Sequence, residues 1–396
     1  MHSPLNPCLI GTVAPPIMEA CGWVNAADLP ADKPLLNISQ AAPADPPPLG
    51  LRQAMAQAVM EDPTTHVYGP AKGLPALREQ VAADWSVAYG GRIGAENVAI
   101  TAGCNQAFCA AIATLAAPGD SVILSAPWYF NHKMWLDMAA VETRVHTCGA
   151  DLLPDPGAVA ALINSSTRAI ILVSPNNPTG AEYPVELVRA FYELAHSRGL
   201  ALIIDETYRD FHSETSAPHD LFTDPDWDQT LIQLYSFSKA YRLTGHRVGT
   251  LITSQDRLTQ AEKFLDTMTI CPGQLGQRAA LWGMKNLGVW LAREREEILR
   301  RRAAVVKGFK SLPGWTIKGC GAYFAYAAHP FDLPSDAVAR RIVEEAAVLL
   351  LPGTMFGPAR AEGGTGMAEA HVRIAFANVD TANLARVVER LSCLDI

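Results

Sequence analysis

Two short apolar runs decide the fold: Ala169-Ile170-Ile171-Leu172-Val173 and Ala201-Leu202-Ile203-Ile204. Because neither run alternates polar with apolar residues, both are expected to be strands that are buried on both faces. The residues between them, Leu187 to Arg198, predict a helix that ends at Gly199. A helix between two such strands is typical of a parallel sheet that is covered by helices on both sides.

The alternation of strands and helices extends over most of the chain. Further strands are predicted at 98–101, 121–124, 230–235 and 249–253, and further helices at 51–60, 74–88 and 104–117. After about position 285 the pattern of predicted elements changes. A charged helix is predicted at 290–310, followed by short strands at 322–326 and 371–376 with a helix between them at 335–347. The proline-dense segment 43–48 predicts an extended linker.

These patterns predict an α/β fold with two domains. The large domain, 49–284, is expected to have a mostly parallel sheet with helices on both faces. The smaller α+β domain is expected to consist of 1–48 and 285–396, so that the residues before the linker pack on the C-terminal part of the chain.

Composition argues against several functions. The 396-residue chain is 49% hydrophobic and 18% charged, and its formal net charge is −8. A negative chain argues against broad nucleic-acid or acidic-membrane binding, and no apolar run reaches the roughly 18–20 residues of a membrane span. Its 8 cysteines include no Cys-x-x-Cys pair, so we expect free thiols and no metal site. Because the first residues lack a signal-peptide pattern, we expect a cytoplasmic protein.

A lysine follows directly after one of the predicted strands. The segment Ser236-Phe237-Ser238-Lys239 comes after the run 230–235, and Arg247 lies eight positions further on. Open α/β sheets bind their ligands at the ends of such strands. An amine there can form an imine with a carbonyl cofactor, while hydroxyls and a guanidinium can hold a phosphate. Since similar strings also occur in solvated loops, this interpretation depends on the other segments.

Two polar segments at strand ends have both a local and a functional interpretation. Asp205 ends the run 201–204, where its carboxylate can cap the next helix or pair with a cationic N–H group. The segment 174–180, Ser-Pro-Asn-Asn-Pro-Thr-Gly, can form tight turns, or its Asn177 can donate to a ligand oxygen. Taken alone, each segment favours the local interpretation.

Two further segments have the same ambiguity. The segment 101–106, Thr-Ala-Gly-Cys-Asn-Gln, joins a strand to a helix, where glycine permits close approach and the first helical N–H groups can face an anion. The segment 127–132, Pro-Trp-Tyr-Phe-Asn-His, is rich in rings, which can stack on a planar ligand or pack in the core. We interpret Cys104 as a small apolar residue rather than a nucleophile.

The joint order of the segments is more specific than any one of them. A glycine turn and an aromatic residue are followed by Asn-Pro-Thr-Gly at 177–180, Asp-x-x-Tyr at 205–208, Ser-x-Ser-Lys at 236–239 and then Arg247. In this order the chain resembles the class I/II aminotransferases, which are fold-type I pyridoxal-phosphate enzymes. The resemblance runs from about Asn37 to about Ala377. It implies pyridoxal 5'-phosphate as cofactor, an amino acid and a 2-oxo acid as substrates, and a homodimer with its active site at the interface.

The resemblance also implies a role for each matched residue. Lys239 would bind the cofactor covalently and transfer the proton, with Asp205 at the pyridine nitrogen and Tyr208 at the ring hydroxyl. The other cofactor contacts would be Asn177 at the ring hydroxyl, Tyr129 stacked on the ring, Gly103, Cys104, Asn105, Ser236, Ser238 and Arg247 around the phosphate, and Tyr68 at the phosphate of the neighbouring subunit. The substrate would contact Arg373 through its α-carboxylate, and also Asn177, Ala41 and Tyr323.

Two positions depart from the family pattern or leave a choice open. Ala41 stands where the family usually has glycine, so the close approach of that backbone to the substrate is in question. Trp128 lies beside Tyr129, so either ring could be the one that stacks on the cofactor.

The sequence gives less evidence about the substrate than about the cofactor. The pocket for the substrate side chain is expected near Trp23, Tyr323 and the segment 268–272, Met-Thr-Ile-Cys-Pro. Because these residues are mostly apolar, they favour a neutral donor, aromatic or sulfur-containing. Arg360, if it moves into the site, would instead favour an acidic donor.

Transamination by a ping-pong mechanism is the activity that the resemblance implies. A β-eliminating C–S lyase would share the same cofactor-binding residues and is the first alternative. A non-catalytic regulator would need a basic DNA-binding module before the fold, where the chain has few basic residues. An α/β protein without a cofactor would require every matched position to coincide by chance.

Overall fold

The computed structural model describes residues 3–29, 32–43 and 45–394. Of the predicted smaller domain and its linker, residues 1–2, 30–31, 44 and 395–396 lie outside the described residues. The α-helices are α1 (Pro7–Gly11), α2 (Pro16–Ala26), α3 (Leu49–Glu61), α4 (Pro75–Tyr89), α5 (Cys104–Ala113), α6 (Phe130–Met138), α7 (Pro156–Leu162), α8 (Val185–Ser197), α9 (Trp227–Thr230), α10 (Phe237–Ala240), α11 (Gln255–Thr269), α12 (Gln274–Asn286), α13 (Gly288–Phe309), α14 (Ser335–Ala346), α15 (Met367–Ala370) and α16 (Thr381–Ser392).

The strands form three sheets. They are β1 (Leu36–Asn37), β2 (Val98–Thr101), β3 (Ser121–Ala126), β4 (Glu142–Thr147), β5 (Thr167–Val173), β6 (Ala201–Asp205), β7 (Leu231–Ser236), β8 (Gly249–Ile252), β9 (Thr316–Gly321), β10 (Phe324–Ala328), β11 (Val348–Leu349), β12 (Leu351–Pro352) and β13 (His371–Ala375). The largest sheet has the order β2-β8-β7-β6-β5-β3-β4, and only β8 runs against its neighbours there.

Both faces of this sheet are buried, as the continuous apolar runs predict. In β6, Leu202 belongs to the hydrophobic core on one face, whereas Ile203 belongs to the core on the other. Strand β5 repeats the pattern with Leu172 and Ile171. The α/β class with helices on both faces is therefore confirmed.

The second sheet is smaller and antiparallel, with the order β12-β13-β10-β9. The short strand β1 pairs in parallel with β11, so Leu36 lies opposite Val348 in the C-terminal part of the chain. The two larger sheets lie within 98–252 and 316–375. The domain boundaries at 48/49 and 284/285 stay a prediction.

Several element boundaries differ from the prediction by one to four residues, and two of the differences have a local reason. The helix expected at 104–117 ends at Ala113, where the hydroxyl of Thr114 donates to the carbonyl of Ala111 over 2.7 Å and competes with the helical pattern. The strand expected at 322–326 begins at Phe324, because Ala322 has a φ of 44° and occupies the turn between β9 and β10.

Several elements have no counterpart in the predicted pattern. Strand β4 forms the edge of the large sheet, and its residues Glu142-Thr143-Arg144-Val145-His146-Thr147 are polar because only one neighbour covers it. Helices α6, α11 and α12 are likewise absent from the sequence-based prediction. No helix in the described part of the chain is long and apolar enough to cross a bilayer.

Core truncations on the two faces of β6 should destabilise the protein about equally. We expect Leu202→Ala and Ile203→Ala each to lower the free energy of unfolding by ~2–5 kcal/mol, since both side chains are 0% exposed. Urea denaturation measures the change, and Val289→Ala, at a side chain that is 72% exposed, is the control with an expected effect below ~0.5 kcal/mol. A negligible loss for either core variant would mean that its face of the sheet is not covered.

Candidate active site

Most of the predicted residues meet in one cavity of about 480 Å³. It lies at the carboxyl ends of the parallel strands β5, β6 and β7, where open α/β sheets bind ligands. The segment 40–42 and strand β13 of the smaller sheet contribute to its wall. The predicted site residues that line the cavity are Ala41, Cys104, Asn105, Tyr129, Asn177, Asp205, Tyr208, Ser236, Ser238, Lys239, Arg247 and Arg373.

Lys239 lies in the short helix α10, which begins directly after β7. The hydroxyl of Ser236 caps that helix by accepting from the N–H of Ser238 over 3.2 Å. The amine of Lys239 donates to the carbonyl of Ala41. Burial, together with the positive charges of Arg247 and Arg373, lowers the pKa of Lys239 from 10.5 to about 8, although Asp205 opposes the shift. An appreciable fraction of this amine is therefore neutral near physiological pH.

Asp205 ends β6 and is 3% exposed. Its Oδ1 accepts from the N–H of Thr207 over 2.9 Å, and its Oδ2 lies 3.3 Å from Nε2 of His132. Burial opposes ionisation, but the nearby imidazole of His132 and the contacts with Thr207 outweigh it and lower the pKa of Asp205. The carboxylate therefore accepts a bond in a local turn rather than capping the next helical turn, whose cap is Tyr208, and it still presents charge to the cavity.

The adjacent residues Asn176 and Asn177 make different contacts. Asn176 makes the turn, since its Oδ1 accepts from the N–H of Thr179 over 3.1 Å and from the hydroxyl of Thr179 over 2.8 Å. Asn177 faces the cavity, where its Oδ1 accepts from Nη1 of Arg373 over 2.9 Å. The local interpretation thus applies to Asn176, whereas the ligand contact of Asn177 stays a prediction.

Arg373 lies in β13 and is 2% exposed. Its Nη2 donates to the carbonyl of Ser39, and its guanidinium carbon lies 5.0 Å and 4.8 Å from the ring centres of Phe324 and Phe356. Burial lowers the pKa of Arg373 to about 10, although Tyr208 and Tyr129 oppose the shift. Its Nε is buried without a hydrogen-bond partner among the described residues. A planar guanidinium held in this way is suited to a carboxylate.

The turn before α5 closely approaches Arg247. Gly103 has a φ of 89°, and a Cβ at this position would lie only 2.2 Å from Nη2 of Arg247, so the approach requires glycine. Nη1 of Arg247 donates to the hydroxyl of Ser238 over 3.3 Å. The first turn of α5, with Cys104 and Asn105, lines the cavity beside these groups. Helix N–H groups, hydroxyls and a guanidinium form a donor set that suits a phosphate.

Cys104 itself is a buried thiol in this turn. Burial, with a smaller contribution from Asp205, raises the pKa of Cys104 well above its usual range. A protonated thiol is a poor nucleophile, so the interpretation of Cys104 as a small apolar residue agrees with its surroundings.

The structure distinguishes the two neighbouring aromatic rings. Tyr129 lines the cavity, and its hydroxyl donates to Oδ1 of Asn105 over 3.4 Å. Trp128 instead packs in the hydrophobic core under the large sheet and is absent from the cavity wall. Tyr208 also lines the cavity, with its ring centre 5.0 Å from that of Phe324. Tyr129 is therefore the ring that is available to a ligand.

Three predicted site residues are not part of the cavity wall: Gly103, which precedes the lining residue Cys104, and Tyr323 and Tyr68. Tyr323 is 3% exposed and packs behind Tyr208 at a ring-centre distance of 5.4 Å, so its position does not support a direct substrate contact. Tyr323 lines a separate polar cavity of about 210 Å³ instead. Tyr68 is 77% exposed on the surface.

The residues expected to surround the substrate side chain are also elsewhere. Trp23 is buried in the core of the smaller sheet, and Arg360 is paired with Glu369 over 3.1 Å at the surface. The segment 268–272 does not contribute to the described cavity wall, and its Met268 is 58% exposed.

Other residues of the cavity were missed by sequence reasoning. They are Pro15, Pro16, Ile17, Gln40, Ala42, Phe130, Asn131, Val173, Thr207 and Thr244. His132, which contacts Asp205 and stacks on Phe108 at 4.0 Å, was missed as well. The ring-rich segment 127–132 contained the signal for His132, because an imidazole three positions after Tyr129 falls on the same side of a helix.

Comparison with known proteins identifies the family of the chain. Residues 33–391 match the model of the family "Aminotransferase class I and II". An aspartate aminotransferase of Pyrococcus horikoshii is 29% identical over 336 residues, which are 83% of each chain. An arginine–pyruvate transaminase of Pseudomonas aeruginosa is 31% identical over 312 residues, 75% of this chain and 76% of the relative.

Solved structures show the same fold. An aspartate aminotransferase of Thermus thermophilus superposes with a TM-score of 0.88 at 24% identity, covering 99% of both chains. An N-succinyldiaminopimelate aminotransferase of Mycobacterium tuberculosis superposes with a TM-score of 0.88 at 23% identity, covering 98% of this chain and 99% of the other. The chain therefore belongs to the class I and II aminotransferases, the pyridoxal-phosphate-dependent enzymes of fold type I.

Proposed function

We propose that the enzyme transfers the amino group of a neutral L-amino acid to a 2-oxo acid by a ping-pong mechanism, with Lys239 as its catalytic base. The observation that supports this most is the amine of Lys239, whose pKa is lowered to about 8 in a cavity that also contains Asp205 and Arg373. A neutral amine can bind the cofactor aldehyde covalently and can later take a proton from the substrate Cα.

The donor set of the cavity fits pyridoxal 5'-phosphate. Gly103, Cys104, Asn105, Ser236, Ser238 and Arg247 would hold the phosphate, and Tyr129 would stack on the ring. The close approach of Gly103 to Arg247, which a Cβ would obstruct, supports this placement. The bound cofactor supplies an electron-accepting ring that stabilises the charge left at the substrate Cα.

Asp205, Asn177 and Tyr208 would tune that ring. The lowered pKa of Asp205 keeps it a carboxylate, which can pair with a protonated ring nitrogen. His132, 3.3 Å away, would hold the carboxylate in place. Asn177 and Tyr208 would hydrogen-bond the hydroxyl oxygen of the ring.

Arg373 would bind the α-carboxylate of the substrate in a bidentate way, next to Asn177. The same contact would serve the amino acid in the first half-reaction and the 2-oxo acid in the second. Ala41 would form the adjacent wall, and its methyl group narrows the cavity where glycine would leave more room.

The charges of the cavity favour a neutral donor. Among the described lining residues the cations are Lys239, Arg247 and Arg373, and each has a proposed partner on the cofactor or the α-carboxylate. A distal carboxylate would therefore lack a dedicated cation from this chain. The remaining wall includes Pro16, Ile17 and Phe130, which suit an apolar side chain.

Transamination is favoured over elimination by the relatives. The proteins compared above are aminotransferases by name, acting on aspartate, arginine or N-succinyldiaminopimelate. Their names differ in substrate and agree in the reaction, so the preference of this chain for its donor rests on its own cavity.

The site is proposed to be completed by a second copy of the chain. Gly69 donates its N–H to Sγ of Cys271 over 3.3 Å, which brings the segments 67–69 and 268–271 together at the surface. Tyr68 and Met268 are 77% and 58% exposed in this patch, as expected for an interface. In a homodimer, Tyr68 would reach the phosphate in the neighbouring site. We further propose that this enzyme works in the cytoplasm.

Covalent attachment of the cofactor should depend on pH through Lys239. Since only the neutral amine attacks an aldehyde, the attachment rate should rise with pH and level off above a midpoint near pH 8, rather than near 10.5. Stopped-flow absorbance of apoenzyme mixed with pyridoxal phosphate measures the rate. Arg373→Gln removes a positive neighbour and should move the midpoint upward, whereas Arg360→Gln, at the surface, should leave it unchanged. A rate that still rises tenfold per pH unit at pH 9.5 would contradict the lowered pKa.

The donor preference is tested with a panel of amino acids. Mixing the yellow holoenzyme with neutral, acidic and basic amino acids and following the loss of its absorbance should give the fastest conversion with neutral, apolar donors. The expected advantage over aspartate is at least about tenfold in kcat/KM, which corresponds to one unpaired distal charge in the cavity. Fast conversion with aspartate or glutamate alone would show that a cation from elsewhere enters the site.

A further inference from the structure

A short backbone segment, Gln40–Ala42, forms part of the wall of the active-site cavity. It has no regular secondary structure, and Pro43 follows it, so neither a helix nor a sheet fixes its position. The only backbone bond within the segment runs from the N–H of Ala42 to the carbonyl of Gln40 over 2.9 Å, a tight local turn. The amine of Lys239 also donates to the carbonyl of Ala41, but this bond would be given up when Lys239 reacts, so the wall needs a further contact to stay in place.

The side-chain amide of Asn378 supplies that contact. Its Nδ2 donates to the carbonyl of Gln40, and its Oδ1 accepts from the N–H of Ala42 over 3.1 Å. Both polar groups of one amide are thus used on the two residues that flank Ala41. Ala41 itself is 7% exposed and lines the cavity with Lys239 and Arg373.

Asn378 is itself held firmly. It ends a 3₁₀ turn at 376–378 that directly follows β13, the strand that contains Arg373. The carbonyl of the preceding Ala377 accepts from Nη1 of Arg301 over 2.7 Å, and Nε of Arg301 donates to Oε1 of Glu297 on α13 over 2.8 Å. The amide therefore connects the segment 40–42 to the strand of the proposed carboxylate-binding arginine.

We propose that Asn378 is a positioning residue for the substrate. By clamping Gln40 and Ala42, it fixes the wall at Ala41 in register with Arg373, so that the space between the wall and Lys239 fits the Cα region of the substrate. Asn378 does not line the cavity, so it acts through the segment and not by contact with the reacting atoms. This role rests on the proposed function, in which Arg373 binds the α-carboxylate.

The physical basis is preorganisation. A wall that is free to move has to be ordered when substrate binds, and that ordering weakens binding. Loss of the hydrogen bonds from Asn378 should therefore raise KM. The rate of proton transfer by Lys239, which begins from bound substrate, should change little. A merely structural role would instead lower stability and cofactor affinity without this split.

Two variants and one control test the proposal on the holoenzyme. Asn378→Ala removes both hydrogen bonds to the segment. Asn378→Asp keeps the acceptor for Ala42 and removes the donor to Gln40. Asn383→Ala is the control, because Asn383 lines the same polar cavity of about 210 Å³ as Asn378 and has no bond to the segment.

The first measurement is hydrogen exchange, which does not depend on turnover. Mass spectrometry of the peptide that covers 38–43 should show faster exchange in Asn378→Ala by about tenfold or more at the amide of Ala42. Asn378→Asp should retain most of this protection, and Asn383→Ala should match the parent. Unchanged exchange in Asn378→Ala would overturn the clamp.

The second measurement is the steady-state kinetics of transamination with the best donor of the panel and a saturating 2-oxo acid. Asn378→Ala should raise KM by about ten- to thirtyfold, as expected for two lost hydrogen bonds, while kcat falls by less than about threefold. Asn378→Asp should fall between Asn378→Ala and the parent, and should carry the test if Asn378→Ala does not fold. The affinity of the apoenzyme for pyridoxal phosphate should stay within about twofold of the parent.

The outcomes distinguish the positioning role of Asn378 from the proposed aminotransferase function. A KM that stays within about twofold, or a loss confined to cofactor affinity and thermal stability, overturns the positioning role and leaves aminotransfer intact. A parent enzyme that transfers no amino group to any 2-oxo acid overturns the proposed function instead, and the exchange result then stands by itself.

Discussion

Burial of Lys239 next to two guanidinium groups is the constraint on which the rest of the site depends. An amine in that position is held partly neutral, with a pKa of about 8, because burial and the charges of Arg247 and Arg373 both disfavour its protonated form. Asp205 supplies the opposing negative charge and remains ionised through its contacts with Thr207 and His132. The proposed chemistry of the site follows from this balance, since the same amine has to act as nucleophile and as base.

Each of the two larger sheets contributes some of the charged groups around Lys239. The parallel strands β6 and β7 end in Asp205 and in the segment of Lys239, while the smaller sheet contributes Arg373 through β13. The backbone at 40–42 lines the cavity together with residues of both sheets, and Asn378 links it to the smaller sheet. A substrate that contacts Arg373 and Lys239 together would therefore depend on the relative positions of both sheets and of this segment.

Much of the fold could be predicted from the sequence because the buried strands are continuous and apolar. The edge strand β4 escaped prediction because a strand with one neighbour does not need an apolar sequence. The sequence motifs and the family resemblance singled out Lys239, Asp205 and Arg373, and the structure has all three residues in one cavity. Tyr323 lies behind that cavity instead, since its orientation depends on packing with residues that are distant in the sequence.

The central claim is that Lys239 is the residue that binds the cofactor covalently. It is tested most directly by reducing the holoenzyme with borohydride, digesting it and locating the pyridoxyl group by mass spectrometry, with Lys239→Ala as the matched control. The account predicts one modified peptide, which contains Lys239, and no modified peptide in the variant, which should also lose nearly all turnover. A pyridoxyl group on another lysine of the parent, or near-normal transamination by Lys239→Ala, would contradict it.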